Sequence, residues 1–172
     1  MTSRAERKAS SCAKAEAAAR RSAARLAAVQ ALYQIELSGA APESVIAQFT
    51  DPESRGGLAD ARLIEPDPSL FADLVRGVAA RRAELDRMIA AALTADWKFD
   101  RLEIIVRLIL EAGVYELTER PDVPPRVAIT EYVDVAHAFF DGATPGFVNG
   151  VLDSLARRFR PQEMPEKGEA EE

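Results

Sequence analysis

Cysteine and histidine are almost absent from this sequence, which contains one of each among its 172 residues. Cys12 has no second cysteine with which to form a disulfide within the chain, and this fits a reducing compartment. His137 has no cysteine or second histidine with which to share a metal ion, so we expect it to have a surface or packing role on a helix. The sequence therefore predicts neither a disulfide framework nor a metal site.

Long apolar runs are also missing. No run approaches the roughly 20 apolar residues that span a bilayer as a helix. The N-terminal residues are basic but lack the continuous apolar segment of a secretory signal. We therefore expect a cytoplasmic protein without a membrane partner.

The reactive groups that an enzyme brings together are not evident either. The sequence has no phosphate-binding glycine loop of either common pattern, and no histidine lies near Cys12 along the chain. Acidic residues are plentiful, but they fall at positions that should face solvent on helices, so paired-carboxylate catalysis is not indicated. We expect a protein that is not an enzyme, with no catalytic residues and no cofactor.

Aromatic residues make up only 6% of the chain, and alternating β-branched runs are rare. Alanine and leucine dominate, and both lose little side-chain freedom in a helix. The ten prolines are grouped at a few points and separate long stretches without proline. These features predict an all-α protein, with helices over about 13–37, 43–49, 68–93, 104–117, 127–140 and 146–158.

Helix starts can be placed from capping residues. Asp67 and Thr144 each precede a proline and are predicted N-caps, and Asp100 with Glu103 resembles a capping pair. Gly77 weakens a helix interior, which suggests close contact with another helix. The helix over 104–117 is apolar around much of its circumference and should be the most buried.

Charge is distributed unevenly. Residues 1–25 contain seven basic and two acidic residues, a net charge of +5, whereas the remaining 15 basic and 26 acidic residues give −11. A basic arm on an acidic body is a common arrangement for RNA binding, although a solvated helix end would look the same. We divide the chain into a basic arm (1–19), a helical domain (20–160) and an acidic tail expected to be disordered (161–172).

Three segments point to a family when they are read in order. They are RLAAVQALYQ at residues 25–34, YEL at 115–117 with DVP at 122–124 and VAITE at 127–131, and FVNGVLD at 147–153. In this order they resemble the signature stretches of the NusB family. The resemblance covers about residues 20–160 and leaves out the arm and the tail.

This resemblance implies an all-α fold of two small helical bundles packed across one another. It implies a transcription antitermination factor that binds single-stranded boxA RNA together with NusE, a ribosomal small-subunit protein. The pair acts on the transcription elongation complex and supports ribosomal RNA transcription. No reaction or cofactor is involved, and a homodimer is known in this fold.

The resemblance also implies RNA-binding residues. Arg21 and Arg25 match basic positions at the start of the family and are expected to neutralise phosphates, with Arg20 as a weaker neighbour. Gln30 is expected to bond a base edge, and Tyr33 either stacks on an unpaired base or belongs to the apolar stripe. Phe147 either contacts RNA or is buried; Asn149 and Gly150 are expected to serve helix packing instead.

The chain departs from the family at a few positions. Gly142 and Ala143 replace a common acidic pair, Gly146 replaces a Lys or Arg before Phe147, and Glu111 stands where a basic residue is usual. The lost charge at Gly146 predicts weaker RNA binding there, for which the basic arm would compensate.

Two alternatives therefore stay open. One is a NusB-like protein-interaction module with weakened RNA binding. The other is the helical accessory domain of an rRNA methyltransferase, whose methyl-donor domain would have to lie on a separate chain.

Overall fold

The computed structural model describes residues 4–53 and 64–165, and within these ranges the chain is helical without strands. This confirms the all-α prediction. Two short 3-10 helices lie at Phe99–Arg101 and Pro161–Glu163. The α-helices of the described residues are α1 (Arg4–Ser38), α2 (Pro42–Thr50), α3 (Pro68–Ala92), α4 (Ile104–Glu119), α5 (Pro125–Phe139) and α6 (Thr144–Phe159).

The chain divides into two compact units, residues 1–75 and 76–172. The first unit contains α1, α2 and the first eight residues of α3, and α1 packs against α2. Ala28, Val29 and Leu32 are fully buried on α1, whereas Leu37, which the same apolar stripe includes, is 63% exposed. The buried residues of α1 all lie between positions 24 and 32, in the second half of the helix.

The second unit is built around α4, which packs against both α5 and α6, and these two also pack against each other. Every residue from Leu108 to Leu117 is buried, as the apolar circumference of this helix predicts. In the same unit α3 is interrupted at Arg81, whose backbone leaves the helical region.

Close helix contact explains Gly77, as predicted. A Cβ atom built on Gly77 would overlap the ring of Tyr115 on α4. Gly113 has a similar role, because a Cβ there would come within 2.9 Å of Leu152 on α6. Both glycines allow a large side chain to pack directly on helix backbone.

Of the three predicted caps, the one at Asp67 is confirmed. Its Oδ1 accepts hydrogen bonds from the backbone N–H groups of Ser69 and Leu70, each at 3.0 Å. The prediction for Asp100 is wrong, because this residue lies in a 3-10 helix and the N-cap of α4 is Glu103. The prediction for Thr144 is also wrong, because the N-cap of α6 is Ala143 and makes no side-chain hydrogen bond.

Both ends of the described chain are more ordered than the sequence indicates. Helix α1 begins at Arg4, nine residues before its predicted start at Ala13, so the described part of the basic arm is helical. Residues 161–165, assigned to the tail, include a 3-10 helix and the buried side chain of Met164. The rest of the tail, 166–172, and most of the predicted connection, 54–63, lie outside the described residues.

None of the helices in these two ranges combines the length and the apolar character needed to cross a membrane.

Candidate nucleic-acid interface

The described part of the basic arm presents one charged side along α1. Arg7, Lys14 and Arg21 follow one another at seven-residue intervals, close to two helical turns, and all three are exposed. Arg4 and Lys8 lie within one turn of Arg7 and are exposed as well. The spacing places positive charge along about 21 Å of helix, at 1.5 Å per residue. This is the geometry of a surface that can contact several phosphates of one strand.

Arg20 is already engaged within the first unit. Its Nε donates a 3.3 Å hydrogen bond to the carbonyl of Glu65, and its own carbonyl accepts one at 3.0 Å from the N–H of Asp67. The side chain is half-buried. Arg20 therefore holds the segment before α3 against α1, and its guanidinium is only partly available to RNA.

Arg25 lies in a different environment from Arg21. Only 2% of it is exposed, and its neighbour Ala24 is fully buried. A phosphate could reach the guanidinium of Arg25 only after the surrounding side chains had moved. Among the three predicted arginines, Arg21 is the one that is exposed.

Gln30 and Tyr33 are neighbours on the next turns of α1. Gln30 is exposed and Tyr33 is half-exposed, whereas Val29, which precedes Gln30, is fully buried. Tyr33 thus lies at the border between core and solvent. Its ring can pack with the apolar stripe of α1 on one side and stack on an unpaired base on the other. Arg21 and Gln30 are nine residues apart, which places them on opposite sides of a regular helix.

Phe147 lies in the first turns of α6 in the second unit. Its ring is half-exposed and packs on the ring of Trp97, with centroids 4.7 Å apart and planes tilted by 36°. Trp97 is 53% exposed and follows α3 in a turn closed by a 2.9 Å hydrogen bond from its N–H to the carbonyl of Thr94. The sequence singled out Phe147 but not Trp97, because the two are distant along the chain.

The surroundings of Phe147 are open. Asn149 and Gly150 are exposed, and a Cβ atom built on Gly146 or on Gly150 would have nothing within 4 Å. The expected packing role of Asn149 and Gly150 is therefore wrong: they lie on the side of α6 that faces solvent, whereas Val148 and Val151 of the same turn are buried.

Glu111, which replaces a usual basic residue, is fully buried within the second unit. Its Oε2 lies 3.2 Å from Nε of Arg82, and its Oε1 lies 3.3 Å from Nε of Arg107. Burial, aided by a hydrogen bond with Asp86, raises the pKa of Glu111 to about 8, although both arginines favour the carboxylate. Because the carboxyl group of Glu111 is internal, it does not alter the charge of the exposed surface.

Two further contacts stabilise the packing of the second unit. Tyr132 on α5 donates a 2.7 Å hydrogen bond to Oε2 of Glu116 on α4, and both residues are buried. Arg160 follows α6 and donates to the carbonyls of Val123, at 2.7 Å, and Pro121, at 3.1 Å. Arg160 thus ties the end of α6 to the turn between α4 and α5, a role that the sequence did not indicate.

The structure does not supply a metal centre in its described part: no three His, Cys, Asp or Glu residues within 4–53 and 64–165 are grouped so that they could hold an ion.

The sequence pattern of the NusB family matches residues 22–157. A transcription antitermination protein NusB from Rhodospirillum rubrum is 52% identical, over 83% of this chain and 86% of that protein. A protein of the same name from Caulobacter vibrioides is 46% identical, over 81% of this chain and 94% of that protein.

Two solved structures that superpose on this chain are also of NusB proteins. NusB from T. maritima superposes with a TM-score of 0.65 at 26% identity, covering 84% of this chain and 95% of that one. The solution structure of NusB from Aquifex aeolicus superposes with a TM-score of 0.59 at 26% identity, covering 87% of this chain and 96% of that one.

Proposed function

The chain belongs to the NusB family of transcription antitermination proteins, and we propose that it acts by binding boxA-like single-stranded RNA together with NusE, a small-subunit ribosomal protein. The bound pair joins the transcription elongation complex and supports transcription of ribosomal RNA. It does so in the cytoplasm, without a catalytic step and without a cofactor.

The observation that carries this proposal is the exposed basic side of α1. The chain as a whole has a formal net charge of −6, which would repel RNA. Arg7, Lys14 and Arg21 concentrate positive charge on one side of one helix, where phosphates can be met locally. The charge distribution thus allows an acidic protein to bind an anionic strand at one place.

Base contacts supply the sequence preference in this proposal. Gln30 offers an exposed amide that can pair with a base edge, and Tyr33 offers a half-exposed ring one turn away. Phe147 offers a second aromatic ring, on the other unit. Single-stranded RNA is suited to such contacts because its bases are free to stack on aromatic side chains.

Binding to boxA-like RNA with NusE present tests the proposal directly. A labelled boxA-like oligonucleotide and a scrambled one of the same composition are titrated with the protein and NusE at two salt concentrations. We expect tighter binding of the boxA-like strand and weaker binding of both strands at higher salt. Equal affinity for the two strands at both salt concentrations would contradict the proposal.

A second candidate function is favoured by the positions of Arg20 and Arg25. The first is engaged with the carbonyl of Glu65, and the second is buried, so two of the three predicted phosphate contacts are not freely exposed. On this reading the chain is a NusB-like interaction module whose main partner is NusE. Capture of NusE by the protein in the absence of RNA, with no gain when boxA-like RNA is added, would favour this second function.

A further inference from the structure

Trp97 is a large apolar side chain that the fold leaves on the surface. It is 53% exposed, although a tryptophan has more apolar surface to bury than any other residue. Its position is nevertheless defined, because its backbone N–H donates a hydrogen bond to the carbonyl of Thr94 and its ring packs on Phe147. The second unit therefore holds an indole in place while keeping much of it in contact with water.

The ring of Phe147 extends the exposed indole of Trp97 into a continuous aromatic surface. The ring centroids of Trp97 and Phe147 are 4.7 Å apart, and Phe147 is itself half-exposed. A base has an aromatic face of its own, and stacking on such rings tolerates any base sequence. Two adjacent exposed rings offer room for an unpaired base beside or upon the indole.

We propose that Trp97 is an RNA-contacting residue, and that with Phe147 it forms an aromatic platform on which an unpaired base of the bound strand stacks. The inference rests on the proposed RNA-binding function and extends it to a residue of the α3–α4 connection. The ligand is a single-stranded RNA, since bases held in a duplex do not present a free face.

The residues near the platform favour a nucleic acid over a protein partner. The core of a protein interface is formed by contiguous apolar residues, with few charges. Here Trp97 lies between the exposed charged residues Asp96 and Lys98. Gly146 and Gly150, one position before Phe147 and one turn after it, leave open space, so a flat base can approach without meeting a side chain.

Charge has little part in this contact. Residues 95–101 contain two acidic and two basic side chains, all exposed, so that segment is neutral. The platform should therefore contribute to affinity without contributing to its salt dependence. This separates it from the basic side of α1, whose contribution should fall with added salt.

Intrinsic fluorescence tests the proposal, because Trp97 is the one tryptophan of the chain. A boxA-like single strand is added to the protein with NusE, and the anisotropy of a label on the RNA confirms that binding occurs. The same titration with Trp97→Phe is subtracted, so that the difference reports Trp97 alone even if NusE is fluorescent. We expect RNA to quench the tryptophan emission, whereas NusE alone leaves it unchanged.

Three outcomes of this titration are distinct. RNA that binds by anisotropy and leaves the emission of Trp97 unchanged would overturn the platform while the RNA-binding function stands. Emission that changes on adding NusE, with no further change on adding RNA, would also overturn it and assign Trp97 to a protein contact. A strand that fails to bind at all would contradict the proposed function itself, and the platform with it.

The RNA affinity of substituted proteins is the second measurement. Trp97→Ala should weaken binding of the single strand by about 5- to 150-fold, the range for one stacked base, with the salt slope unchanged. Trp97→Phe keeps a ring and should lose much less. Val127→Ala removes another exposed apolar side chain of the same unit, 45% exposed, and should bind like the parent protein. Helicity by circular dichroism identifies any variant that fails to fold.

Equal affinities for the parent protein, Trp97→Ala and Trp97→Phe would contradict the proposal. A loss with Trp97→Ala that Trp97→Phe reproduces in full would contradict it as well, because an aromatic face would then not be the feature that matters.

Discussion

The hydroxyl group of Tyr132 donates a 2.7 Å hydrogen bond to Oε2 of Glu116, and both side chains are fully buried. The bond joins α5 to α4, at residues that belong to or adjoin the second of the three segments by which the chain resembles its family. A buried carboxyl group needs such a donor, because leaving it without one costs free energy. A sequence segment that resembles the family thus also stabilises the packing of α4 against α5 in the second unit.

Removing the Tyr132 hydroxyl should destabilise the protein. Tyr132→Phe takes a donor from a buried carboxyl group, so we expect the free energy of unfolding to fall by about 1–3 kcal/mol. Urea denaturation followed by circular dichroism measures the change. The same substitution at half-exposed Tyr33 is the control and should change stability by less than about 0.5 kcal/mol. Equal effects at the two positions would show that the buried bond contributes nothing.

A methyl group should be tolerated very differently at two helical glycines. Gly77→Ala would force the Tyr115 ring away from α3, so we expect a loss of about 1–3 kcal/mol. Gly150→Ala adds the same methyl group in open space on α6 and should stabilise by up to about 1 kcal/mol, through helix propensity. Thermal or urea unfolding of both variants measures the contrast. A stabilising Gly77→Ala would contradict the described packing.

Glu111 should make stability depend on pH. Burial raises the pKa of Glu111 from 4.5 to about 8, so the folded state binds a proton that the unfolded state releases above about pH 4.5. Its contribution to stability is fully present below about pH 4.5 and is lost as the pH rises through about 8. Glu111→Gln keeps the shape of the protonated form and should flatten this dependence, by a few kcal/mol in total.

Urea unfolding between about pH 5 and pH 8 checks this prediction, with exposed Glu16→Gln as the control. The control should follow the parent curve. A Glu111→Gln curve parallel to that of the parent would show that Arg82 and Arg107 keep Glu111 ionised in the folded state.

The basic side of α1 should determine the salt dependence of RNA binding. In single strands each phosphate contact contributes about 0.7 to the slope of log affinity against log salt. Replacing Arg7, Lys14 and Arg21 together with Ala should therefore reduce the slope by about 2 and leave helicity unchanged. Fluorescence anisotropy over a salt series measures it.

The matched control removes the same number of exposed positive charges from the second unit, at Arg87, Arg126 and Arg158. It should keep the parent slope. Equal slopes for the two triple variants would show that net charge, and not the basic side of α1, determines the salt dependence.

Features that depend on neighbours along the chain were predictable from the sequence. Proline grouping and apolar periodicity predicted the helices, and the Asp67 cap followed from an aspartate placed before a proline at a helix start. The cap at Thr144, predicted by the same rule, and the cap at Asp100, predicted from its pairing with Glu103, are both wrong. A cap also requires a particular backbone conformation, and here a 3-10 helix and the helical backbone of Ala143 take that place.

Features that depend on distant residues were not predictable. Arg25 matches a basic family position, yet the fold buries it, while Arg21 one turn earlier stays exposed. The packing of Trp97 on Phe147 joins two elements that lie far apart in sequence. Residue type indicates what a side chain can bind, but only the tertiary contacts decide whether it is exposed to bind it.

Terminator read-through measures the proposed antitermination activity itself. Transcription by the organism's RNA polymerase is followed past a terminator on two templates, one with a boxA-like leader and one with a scrambled leader, with NusE present and with or without this protein. We expect the protein to increase read-through on the boxA-like template alone, and we expect replacement of Arg7, Lys14 and Arg21 with Ala to reduce the increase. Read-through that the protein leaves unchanged, or raises equally on both templates, would contradict the proposed function.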